Sequence, residues 1–247
     1  MERIHILKDA GEEYERRKAA ATSPEERDTL MREFAEFRTR HREEDIRRGK
    51  RLPGFHLQTQ QIMWARWIEI AASHERDAMK ALDAARAGEP QLAEELRQSL
   101  VAITAAACAV EALYEDVKYL IDDRRRIDDA AERITDCLSE AFGLPRTEHD
   151  QLLDNLTWLF ERRNEGLHPY SEMAPTEVHP AGLNTSAEMA HFNGQESRKA
   201  LVVALGALEL AANPPSPANR RVERWIDDRR TYHEQVVDPI RSTITGH

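Results

Sequence analysis

Apolar residues recur at three- and four-residue spacing along almost the whole chain, and runs of alternating Val, Ile and aromatic residues are nearly absent. The first pattern gathers apolar side chains on one face of a helix; the second would line one face of a strand. The fold class expected is therefore all-α, an antiparallel helical bundle with extra helices at its N-terminal and C-terminal ends. A first helix is expected over residues 2–20 and a second from "SPEE" to about residue 48. Ser23 can cap the second, Pro24 suits its first position, and Glu26 completes a capping box. Leu30, Met31, Phe34 and Phe37 form its apolar side, and the charged remainder reads as a solvated face.

"RLPGF" at 51–55 ends this charged pair, because Pro53 and Gly54 do not continue a helix. Three regions follow: charged N-terminal helices over 1–50, a bundle over 51–213, and a C-terminal amphipathic helix over 214–247. In the bundle, a helix over 57–87 carries Trp64, Trp67, Ile68 and Ala71 inward. The next runs from Pro90 to about 123 through "LVAITAAACAVEALYEDVKYLI", whose small residues let a neighbouring backbone approach and mark it as the central helix. Ile127, Ile134, Leu138 and Phe142 define a helix over 126–142 that stops at "GLP". Thr147 with Asp150 is expected to cap the next, which turns Leu152, Leu153, Leu156, Leu159 and Phe160 inward. Residues 169–195 read as a long loop with room for a small hairpin, and "SRKALVVALGALELAA" as a buried helix.

Past "NPPSP", Ser216 is the expected cap and Pro217 the first helical position. Val222, Trp225, Ile226, Tyr232, Val236 and Ile240 then form a stripe that must be covered by the bundle or by a second subunit.

Composition narrows the function. The net charge of −10 repels a nucleic-acid backbone over the molecule as a whole, which argues against a general DNA coat but leaves room for a local basic site. No apolar run of about 18 residues occurs, and the N-terminal residues lack the apolar stretch of a signal peptide, so no membrane association and a cytoplasmic location are expected. Cys108 and Cys137 fall on apolar helix faces and read as core thiols. "DDRRRIDD" at 122–129 reads as a self-neutralised junction. Glu188 and His191, like Glu2 and His5, have di-iron spacing without partner carboxylates in sight, and His179 and His191 show no close ligand partners, so no metal and no cofactor are expected.

The chemistry-bearing stretch is "WLFERRNEGLHPYSEM" at 158–173. It begins as a helix and is expected to break at Gly166 in a left-handed cap, letting His168 fold back toward Arg163. A guanidinium stays charged while an imidazole exchanges protons near neutrality, so together they suit phosphodiester chemistry. Equally, arginines in a last turn followed by Asn, Gly and Pro suit an ordinary helix end.

"RNEGLH" resembles the signature of the HEPN superfamily: an Arg commonly followed by Asn, then a His four to six residues after the Arg. The surrounding order, an Ala-rich "AVEALYE" helix, the motif near a helix end and one further core helix, is similar over residues 57–212. The resemblance implies a metal-independent endoribonuclease of toxin or defence type, a homodimer with a composite site, acting on RNA and open to control by an antitoxin or regulatory protein. It implies that His168 moves the proton of the ribose 2′-OH or of the leaving oxygen, that Arg163 stabilises the phosphorane, and that Asn164 orients substrate or the pair itself. The Gly166 turn is expected to bring the functional groups of Arg163 and His168 within about 7 Å. The products would be a 2′,3′-cyclic phosphate and a 5′-OH. Arg162 becomes an accessory phosphate contact, and Tyr170 a supporting residue. Glu111, a carboxylate inside an apolar run, either pairs with a motif arginine or makes an ordinary boundary salt bridge. The other function class is a noncatalytic helical adaptor whose terminal helix binds another protein.

Overall fold

The structure, a computed structural model, describes residues 62–121, 127–167 and 176–245, together with Tyr14, Arg16, Arg17, Ala20, Ser23, Glu26, Thr29 and Glu33. The chain divides into two compact units, Met1–Gln60 and Gln61–His247. In the first, the amide of Glu26 donates to Ser23 Oγ at 3.1 Å, the bond expected of a Ser cap. The rest of the two N-terminal helices, the "RLPGF" boundary and residues 122–126 of the acidic-basic junction lie outside the described residues.

The second unit is a helical bundle. Its helices are α1 (Met63–Arg86), α2 (Leu92–Val117), α3 (Ala130–Phe142), α4 (Arg146–Leu167), α5 (Ala187–His191), α6 (Gly194–Ala212), α7 (Arg220–Tyr232) and α8 (Asp238–Thr245). A two-strand hairpin, β1 (Thr176–Val178) and β2 (Asn184–Ser186), interrupts it; the strands pair antiparallel with Glu177 opposite Thr185. The hairpin and α5 occupy the segment whose length and Pro/Gly content predict a loop.

The core forms around α2, which packs against α1, α3, α4, α5 and α6. Ala102, Ala105, Ala106, Ala107 and Ala109 are buried along it and leave room for its neighbours, while Ile103, Val110 and Leu113 fill the gaps. On α1 the buried positions Trp64, Ile68, Ala71, Glu75, Ala78 and Leu82 step by three and four, as the inward face of a helix must. Burying side chains such as Ile103, Leu138 and Phe142 fully contributes roughly 1.5–3 kcal/mol each.

Helix ends depart from the sequence reading in several places. Helix α2 runs from Leu92 to Val117, shorter at both ends than the expected span from Pro90 to about 123. Helix α3 begins at Ala130, capped by Asp129, whose side chain accepts from the Glu132 amide at 2.8 Å. Helix α4 begins at Arg146 with the Glu148 and His149 amides bonded to Pro145 O, so Thr147 lies inside the helix and caps nothing. Helix α7 is capped by Asn219, not Ser216: Asn219 Oδ1 accepts from the amides of Arg221 and Val222 at 2.8 and 3.1 Å. Ser216 is used elsewhere, its amide donating to Phe142 O at 3.0 Å. That contact explains Gly143, whose left-handed φ of 66° ends α3 and whose missing side chain admits Ser216; a Cβ there would stand 2.3 Å from Ser216 O.

The C-terminal stripe is covered by its own bundle. Val222, Trp225 and Ile226 are buried, and the Trp225 ring lies 6.1 Å from that of Phe142. Tyr232, expected inward, is exposed. A π-helical turn at His233–Val237 widens the helix by one residue, so His233 and Val237 take the inward positions instead. His233 stacks on Trp64 with ring centroids 4.8 Å apart.

No described helix is long and apolar enough to cross a membrane.

Candidate functional site

Helix α4 runs on through Gly166 to Leu167, so the break expected at Gly166 does not occur. The left-handed conformation is absent there; positive φ is found at Gly88, Gly143 and Gly182. Gly166 answers a packing demand. A Cβ would come 2.7 Å from Leu100 Cδ2 and 3.1 Å from Phe192 Cε1, so the tip of Leu100 on α2 and the Phe192 ring at the end of α5 stand where a methyl would go. His168 and Tyr170 lie outside the described residues, and so does the separation of Arg163 from His168.

The turn of α4 before its last presents its two arginines differently. Arg163 Nη1 donates to Glu111 Oε1 on α2 at 2.6 Å, while Nε and Nη2 share Asn164 Oδ1 at 3.2 and 3.1 Å. The guanidinium also lies over the Phe160 ring, 4.9 Å from its centroid. These contacts fix the plane of the fork and occupy one N–H on each nitrogen, leaving a second N–H on Nη1 and on Nη2 for a ligand oxygen. Of the two roles open to Glu111, the structure gives it pairing with the motif arginine. The Cys108 thiol, one turn before Glu111 on α2, is pushed up by burial and by Glu111, with Arg163 opposing. Neither it nor Cys137 forms a disulfide.

Arg162 turns the other way. Its Nη1 donates to Glu165 Oε2 at 2.5 Å, its Nε lies 3.7 Å from Glu196 Oε2 on α6, and its guanidinium is 5.9 Å from the Phe192 ring centroid. Two carboxylates already share this cation, which separates it from Arg163 as a phosphate contact.

Two histidines of the predicted loop have carboxylate partners that spacing did not reveal. His191 Nδ1 lies 2.8 Å from Glu165 Oε1 and its Nε2 lies 2.9 Å from Glu177 Oε2. His179 Nδ1 accepts from the Ala181 amide at 3.1 Å, and its Nε2 lies 3.3 Å from Glu95 Oε2, both side chains being 1% exposed. The Nε2–Oε2 distance suits an ion pair but its alignment is not that of a good hydrogen bond. Glu95 Oε1 accepts from the Gly194 amide at 2.9 Å, which ties the start of α6 to α2. Burial raises the Glu95 carboxyl, against the opposing pull of the Gly194 amide and His179.

Among the described residues no group of three or more His, Cys, Asp or Glu side chains converges on a metal position. At His191 the two carboxylates sit on opposite ring nitrogens, a geometry for hydrogen bonding.

Glu111, Arg163 and Asn164 are thus brought together, Arg162 is directed into a neighbouring carboxylate network, and Glu165, Glu177 and His191 join the site's surroundings without having been singled out for it. Compared with protein-family models, with curated proteins and with solved structures, the chain has no match in any of the three.

Proposed function

We propose that this chain is a HEPN-like, metal-independent endoribonuclease of toxin or defence type. The observation that carries the reading is the pairing of Glu111 with Arg163 at 2.6 Å, reinforced by Asn164. A guanidinium held by a carboxylate behind it and an amide beside it is oriented before substrate arrives, and orientation in advance is what transition-state stabilisation of a phosphorane requires. Arg163 supplies its remaining N–H groups to the equatorial oxygens. His168 transfers the proton between the ribose 2′-OH and the leaving 5′-oxygen, and the 2′-oxygen attacks the adjacent phosphorus to leave a 2′,3′-cyclic phosphate and a 5′-OH.

The substrate is RNA, since the mechanism needs a 2′-OH. With a chain charge of −10, phosphate neutralisation is confined to the few cations at the site, so the salt dependence of binding is shallow. The active species is a homodimer. Its interface does not use the C-terminal stripe, which is buried on its own bundle; Leu167, Val178 and Val101, exposed apolar residues at the end of α4, on β1 and on α2, offer other surface. Control by an antitoxin or regulatory protein accords with this reading.

The test is product analysis. Purified protein incubated with RNA in EDTA should yield fragments with 2′,3′-cyclic phosphate and 5′-OH ends. Fragments with 3′-OH and 5′-phosphate ends, or cleavage abolished by EDTA, would contradict the mechanism.

A further inference from the structure

One imidazole ring joins three elements beside the Glu111–Arg163 pair. His191 ends α5, and its Nδ1 and Nε2 face Glu165 of α4 and Glu177 of β1 at 2.8 and 2.9 Å. A neutral imidazole has one N–H donor and one lone pair. With a carboxylate at each nitrogen, the neutral ring would aim that lone pair at a carboxylate oxygen, whereas the imidazolium donates to both. The contacts are partly shielded, with side-chain exposures of 30% for His191, 19% for Glu165 and 41% for Glu177, so solvent does not screen them as it screens a fully exposed pair.

The other charged groups nearby are engaged. Arg162 on α4 holds the second oxygen of Glu165 and lies near Glu196 of α6. From α2, which also packs on α5, Glu95 is taken up by the Gly194 amide and His179. Glu188 lies on the same short helix as His191.

We propose that His191 is a positioning residue whose ring, donating to Glu165 and Glu177 at once, clamps the last turn of α4 to β1. That turn begins with Asn164 and follows directly on Arg162 and Arg163. The effect on catalysis rests on the ribonuclease reading above; the clamp does not.

The experiment compares wild type, His191→Gln and His191→Arg. Gln keeps a donor for one carboxylate without the charge, while Arg keeps donors for both and stays charged. Hydrogen-exchange protection of the amides of residues 163–167 is measured at a single pH. It should be about tenfold lower in His191→Gln than in wild type, the worth of one charge-assisted hydrogen bond, and restored in His191→Arg. Glu177→Ala, on the exposed side of the clamp, should reproduce the low state, and serves if His191→Gln does not fold. Equal protection in all the proteins overturns the clamp.

RNA cleavage is read on the same samples. A lower kcat with unchanged KM in His191→Gln, restored by His191→Arg, supports positioning; unchanged kcat despite lost protection overturns it. If none of the proteins cleaves RNA while protection behaves as described, the clamp stands and the ribonuclease reading falls.

Discussion

Glu111 and Arg163, 52 residues apart in sequence, meet at 2.6 Å where the central helix passes the C-terminal part of α4. Glu111 sits in an apolar stretch of α2 and Arg163 above the Phe160 ring, so each charge is the other's main compensation in a half-buried setting. The pair does little for the fold and much for the orientation of one guanidinium.

Glu111→Gln, which keeps the shape but removes the charge, should lower RNA cleavage about 10- to 100-fold by loosening Arg163. Because Glu111 is 39% exposed, the stability change should stay below about 1 kcal/mol. Single-turnover kinetics alongside thermal melts separates the two. Full activity in Glu111→Gln would show that the pair is structural.

Gly166→Ala is a test of why the glycine is there. In an open helix Ala is favoured by about 1 kcal/mol, so an ordinary position would gain stability. Here the added methyl meets Leu100 and Phe192, and overpacking should destabilise by about 1–3 kcal/mol. Urea denaturation reads the sign directly.

Burial lowers the His233 imidazole to about 4, with Asp238 opposing. The unfolded ring protonates near its usual 6.5, so the unfolded state gains protons first as pH falls. Stability from this group is complete above about pH 6.5 and is lost between there and about pH 4, by up to about 3 kcal/mol. His233→Phe keeps the ring stacked on Trp64 and should remove this part of the pH slope. The difference between wild type and variant is the quantity to measure, because the raised Glu95 carboxyl protonates more readily in the folded state and works the other way. Urea midpoints at pH 7 and pH 4.5 suffice; identical slopes would contradict the prediction.

The helical plan was legible because it rests on local periodicity. Small residues between Ala102 and Ala109 mark α2 as central, and Glu111 stands out as a carboxylate in the apolar stretch that follows. What escaped depends on contacts made across the fold. Gly166 looks like a helix stop in sequence, since nothing local shows that Leu100 and Phe192 press on it. Ser216 and Asn219 are both good caps, and the bonds between residues 216–218 and the end of α3 decide between them. The carboxylates at His191 come from α4 and β1, and the one at His179 from α2, so spacing along the chain could not pair them. The π-helical turn that brings His233 inward instead of Tyr232 has no signature in an otherwise regular stripe.

The central claim is that Arg163 and His168 together cleave RNA without a metal, and it is tested most directly by assaying wild type, Arg163→Ala and His168→Ala on RNA in EDTA, with circular dichroism on each sample. Wild type should cleave, and each variant should keep its helical signal while losing activity about 10²- to 10⁴-fold, the usual contribution of a general acid or base. Cleavage unchanged by either substitution would assign the activity to a contaminant, and no cleavage by folded wild-type protein would contradict the account.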